Sequence, residues 1–127
     1  MTKKAALAGV LLAIGLPGAA MAASDELVVV GVPEGGLASA SLMAGQYEKA
    51  ARRLAAPRPD AANDAARLIN LGNAYAGLGR LADAREAYRA ARFSPDVTLQ
   101  LATGEEGSSR AIARRALGRL KTSYAMR

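Results

Sequence analysis

The stretch from Leu68 to Pro95 constrains the fold of this chain more than any other. Leu68, Leu71 and Tyr75 recur at intervals of three and four residues, which places them on one side of a helix. Gly79 then breaks the pattern, and glycine tolerates the left-handed conformation in which many helices end. Beyond it, Ala84, Tyr88 and Ala91 resume the helical spacing. The expected unit is a pair of antiparallel helices. Gly72 and Ala84 are small enough to let the two approach closely, with Tyr88 filling the space beyond.

Stepping back 34 residues tests for a repeat. Gly79 falls on Gly45, Ala84 on Ala50, Tyr88 on Leu54 and Leu81 on Tyr47. GQYEKAARRL therefore matches the second helix of an earlier unit. Its first helix is weak: Leu37 and Ala38 hold suitable places, but Ser41 and Glu34 stand where large side chains are needed, so at most two helical turns are expected there. Stepping forward, Glu105 falls on an apolar place and the period ends.

Large apolar, Leu-Gly, Tyr, Gly, Ala, aromatic, Ala and a late Pro, set here by Leu68, Leu71-Gly72, Tyr75, Gly79, Ala84, Tyr88, Ala91 and Pro95, resemble the tetratricopeptide repeat. That family's unit is a 34-residue helical hairpin, and the proline here falls one place early. The resemblance implies a mainly α fold, a tetratricopeptide-type hairpin array of one full and one half unit. Such arrays generally need about three units or a cap, so the hairpin of residues 64 to 93 must be covered by flanking chain. AAPRPDAAND breaks the units apart, and Asp60, Asn63 or Asp64 can cap the helix that follows.

The last stretch, RAIARRALGRLKTSYAMR, supplies a terminal capping helix with Ser108 or Ser109 at its start. Projected at 100° per residue, Ile112, Ala113, Ala116, Leu117, Leu120 and Tyr124 share one arc, while Arg110, Arg114, Arg115, Arg119 and Lys121 share the other. Between hairpin and cap, Val97, Leu99 and Leu101 alternate with polar or small residues, the period of a strand. The β-branched run Leu27 to Val30 offers a mate, giving a small two-stranded sheet; the other reading makes residues 23 to 35 a loose arm.

The first 22 residues have the three parts of a signal peptide: Lys3 and Lys4, an uncharged run from Ala5 to Leu16, and Ala20-Met21-Ala22 after a Pro-Gly break. The apolar run is shorter than the roughly 20 residues a bilayer span needs. Residues 23 to 127 are then one exported domain, periplasmic or secreted, with no transmembrane segment after cleavage. The chain carries a net charge of +6 and no Cys or His, so disulfides, thiolate metal sites, a lipid-bearing cysteine, an imidazole base and a thiol nucleophile are all unavailable. No Gly-x-Ser-x-Gly elbow or phosphate-binding glycine loop occurs. The expectation is a non-enzyme without cofactor or metal.

A basic chain attracts anionic partners, and export argues against nucleic acid. Three roles follow. The first is a bacterial envelope adaptor or scaffold that holds a protein, or a second copy of itself, in the groove of its first helices. The second is a protein whose cationic face docks on anionic lipid or envelope polymer. The third is a structural subunit with no separate ligand. In some tetratricopeptide domains, Asn and Lys side chains clamp a partner's terminal carboxylate; Asn70 and Asn73 match the asparagine places, but Ile69 stands where the cation belongs, so that clamp is not supported. Asn73 is also frequent in such repeats for local hydrogen bonding. The partner-contact candidates are Asn70, Asn73, Arg110, Arg114 and Arg115.

Overall fold

A computed structural model describes residues 27–30, 37–58 and 63–125. The expected signal peptide, Asp60, and residues 23–26 and 31–35 of the N-terminal flank lie outside them. Among the described residues the chain is mainly helical. Its order is β1 (Val28–Val30), α1 (Ser39–Met43), α2 (Tyr47–Ala55), α3 (Ala65–Gly77), α4 (Leu81–Phe93), β2 (Thr98–Leu101), β3 (Glu106–Ser108) and α5 (Ser109–Ala125). No helix among these residues is long and apolar enough to cross a membrane.

α3 begins where Asp64 accepts hydrogen bonds at Oδ1 from the backbone N–H groups of Ala66 (3.0 Å) and Arg67 (3.5 Å). The Ala- and Leu-rich sequence that follows has high helix propensity. At its end Gly79 adopts φ +78°, the Gly79 N–H bonds the Ala76 carbonyl (3.0 Å), and the Arg80 N–H bonds the Tyr75 carbonyl (2.9 Å). These two bonds satisfy carbonyls that the helix end would otherwise leave open. The turn between α1 and α2 repeats them: Gly45 has φ +74°, its N–H bonds Leu42 O (3.1 Å), and the Gln46 N–H bonds Ser41 O (2.8 Å). Each participant lies 34 residues before its counterpart, and α2 starts at Tyr47 as α4 starts at Leu81. α1 has five residues, in line with the weak first helix expected there.

α3 is central rather than one-sided. Every residue from Leu68 to Ala74 is buried, although the spacing of Leu68, Leu71 and Tyr75 suggests a single stripe. Leu68 joins a core with β1, β2, α4 and α5, and Leu71 joins a second core with α1, α2 and Ala87 of α4. Tyr75 packs against both. Two close approaches set the spacing. A Cβ on Gly72 would lie 2.5 Å from the Tyr88 ring, and one on Gly77 would lie 2.5 Å from the Tyr47 ring. Hydrogen in place of a side chain lets α4 and α2 pack directly on α3.

The sheet has three strands rather than two, in the order β1-β2-β3, with both pairings antiparallel. Val28 pairs with Leu101 and Val30 with Gln100, so the strand reading of the N-terminal flank holds at residues 28–30. Leu99 and Leu101 face the core as their alternation suggests, but Val97 is outside the strand and 47% exposed. β3 has the sequence Glu-Gly-Ser, which has no apolar alternation; Gly104, at φ +92°, turns the chain so that its backbone reaches β2. α5 then covers the hairpin, burying Ile112, Ala113, Ala116 and Leu120.

Candidate functional site

Two polar constellations stand out from this core. The first is interior. Asn70 is fully buried, and its side-chain amide uses all four hydrogen-bonding positions. Oδ1 accepts from the Val28 N–H (3.0 Å) and from Asn73 Nδ2 (3.0 Å), and Nδ2 donates to the carbonyls of Val28 (2.9 Å) and Leu37 (2.9 Å). Asn73, also fully buried, accepts at Oδ1 from the Tyr88 hydroxyl (2.6 Å). One connected chain of bonds thus runs from α4 through α3 to β1. Asn70 faces Val28 and Leu37 and Asn73 faces Asn70 and Tyr88, and both side chains are fully buried rather than set in an open groove.

The second constellation is on the surface between α4 and α5. Arg85, Arg89 and Arg92 of α4 and Lys121 of α5 rim a groove of about 210 Å³ whose floor is Leu117 and Leu120. On α4 the three arginines occupy positions i, i+4 and i+7, within an arc of about 60° at 100° per residue. Glu86, next to Arg85 in sequence, is turned about 100° away around the helix. On α5, Arg110, Arg114, Leu117 and Lys121 follow one another at intervals of four, three and four, and so share one edge. That edge faces α4: Arg110 donates from Nε to the Arg92 carbonyl (3.2 Å) and from Nη2 to the Ser94 carbonyl (3.4 Å). The helices are antiparallel, with Arg110 beside the end of α4 and Lys121 beside Arg85.

Of the arginines singled out in the sequence, Arg110 and Arg114 share the edge of α5 that carries Lys121 but do not line the groove itself, whereas Arg115 lies off that edge and pairs with Glu105 at 3.5 Å. Arg85, Arg89 and Arg92 carry no sequence motif. Their common face with Lys121 becomes visible only once α4 and α5 are known to be antiparallel neighbours.

Asp96 organises the start of α5. Its Oδ1 accepts from the hydroxyls of Ser108 (2.7 Å) and Ser109 (3.1 Å) and from the Arg110 N–H (3.2 Å). The Ser108 hydroxyl bond, and next the Arg110 N–H, hold its carboxyl below the ordinary aspartate range. Ser108 Oγ in turn accepts from the Ala111 N–H (3.2 Å), which makes it the helix cap. These bonds give Asp96 a capping role. Among the described residues no cluster of three acidic side chains is arranged to hold a metal ion.

Comparison with known proteins finds no matching family model, curated protein or solved structure.

Proposed function

We propose that this chain is a non-catalytic interaction module of tetratricopeptide type, exported to the periplasm or the exterior of a bacterial cell, where it holds a protein partner. The observation that carries the reading is the duplicated turn. The same left-handed glycine and the same pair of helix-closing hydrogen bonds recur 34 residues apart, at Gly45 and at Gly79. A 34-residue spacing of helical hairpins is the period of that repeat. The packing of α2 on α3 and of α4 on α5 supports it further, since each helix lies on the next as in a solenoid.

The interior position of Asn70 and Asn73 moves the partner surface away from the inner side of the first full helix and onto the outer grooves. A second reading, in which the cationic side docks on anionic lipid or envelope polymer, draws on Arg114 and Lys121, both exposed on one edge of α5. Capture from an envelope extract separates the two when paired with sedimentation of phosphatidylglycerol vesicles. The adaptor reading predicts recovery of a defined protein at fixed stoichiometry and little vesicle binding. Recovery of vesicles alone contradicts it.

A further inference from the structure

We propose that the groove between α4 and α5 is a docking site for an acidic amphipathic helix of another protein. It is the partner-holding surface of the adaptor described above and stands only if that reading does.

Charge names the class of partner. The rim residues Arg85, Arg89, Arg92 and Lys121 are all cationic, and among the described residues no carboxylate lines the groove. The three arginines of α4 lie at i, i+4 and i+7, so a partner helix with carboxylates at the same spacing meets a matching row of opposite charge. The same positive rim repels the equivalent face of a second copy, so self-association through this groove is disfavoured.

Shape distinguishes a helix from other anions. The arginine row spans seven residues of α4, about 10 Å at 1.5 Å per residue. Carboxylates repeating at i, i+4 and i+7 on a partner helix match that length and direction. Between the two cationic edges Leu117 is half-buried and Leu120 is 6% exposed, so the floor offers apolar contact to an inserted side chain. At about 210 Å³ the groove is smaller than the roughly 300 to 1,000 Å³ of a typical small-molecule pocket. It has room for one or two side chains of a helix laid across it, the arrangement of helix-in-groove recognition. A diacyl lipid has no comparable place for its chains, and a headgroup alone does not use the row.

The test measures binding of a fluorescent helical peptide with glutamates at i, i+4 and i+7 beside one leucine. Its controls are a peptide of the same composition in scrambled order and phosphatidylglycerol vesicles. The patterned peptide should bind more tightly than either control. Arg89→Glu and Lys121→Glu should each weaken it about tenfold or more, because each exchanges an attraction for a repulsion. Arg53→Glu, on the exposed side of α2, should not change it. Both groove variants replace exposed residues, and an unchanged melting temperature verifies that they fold. Equal binding of the patterned and scrambled peptides overturns the proposal, as does stronger binding to vesicles. An envelope partner that is captured equally well by Arg89→Glu overturns the groove and leaves the adaptor reading standing; capture of no protein removes both.

Discussion

Asn70 shows how much of this fold depends on one side chain. Val28 N–H, Val28 C=O and Leu37 C=O all sit in the interior and all bond to its amide. Leucine at this position has similar bulk but takes the bond from the Val28 N–H and the Leu37 carbonyl, while the Val28 carbonyl keeps the Ser39 hydroxyl (2.8 Å). Asn70→Leu is expected to lower stability by about 2 kcal/mol or more, measured by urea unfolding, since each of the two orphaned groups costs about 1 to 3 kcal/mol. A loss under about 0.5 kcal/mol, the range of an ordinary surface substitution, contradicts the network. Asp96 provides a pH-dependent counterpart at the surface. Its folded-state pKa is lowered, first by the Ser108 hydroxyl, so its contribution is present above the unfolded-state pKa and is lost as pH falls through the folded value. The gap in melting temperature between the parent chain and Asp96→Ala should therefore be widest near neutrality and close under acid. A gap independent of pH shows that the carboxylate's charge has no part in capping α5.

The helices owe their ends to glycine and their separation to glycine as well, by different means. At Gly79 an added Cβ meets no atom within 4 Å, so the cost of substitution comes from φ +78° alone. At Gly72 the backbone is ordinary and the cost comes from the Tyr88 ring. Gly79→Val is expected to destabilise by about 2 kcal/mol, and Gly45→Val by a similar amount, because β-branched residues are strained in the left-handed region. Arg114→Ala should stay within about 0.5 kcal/mol. Equal effects in thermal unfolding contradict the role given to the two turns. The hairpin is legible in the sequence because Leu68, Gly79, Ala84 and Tyr88 act through spacing along the chain, which sequence displays directly. β3 is not, because Glu-Gly-Ser joins the sheet through its backbone and shows no alternation. The bonds of Asn70 are hidden for another reason: Val28 is 42 residues away, and no local pattern announces the pair. Resemblance alone points Asn70 toward a partner; the burial of α3 on all sides turns it inward.

At the scale of the whole molecule, the repeat supplies only part of what the fold needs. α1, α2 and α4 cover only part of α3, and the three-stranded sheet and α5 complete the enclosure. Closing the core this way occupies the inner side of the first helices with β1 and leaves the α4–α5 seam open, edged by arginine and lysine. The sequence displays the cationic arc of α5 but not its counterpart on α4, because their union depends on tertiary packing. The claim that this seam receives an acidic helix is tested most directly by amide chemical-shift mapping of the isotope-labelled chain as the patterned glutamate peptide is added. The largest changes are predicted at Arg85, Arg89, Arg92, Arg114, Leu117 and Lys121. Changes centred on α2 or the sheet, or none at saturating peptide, contradict it.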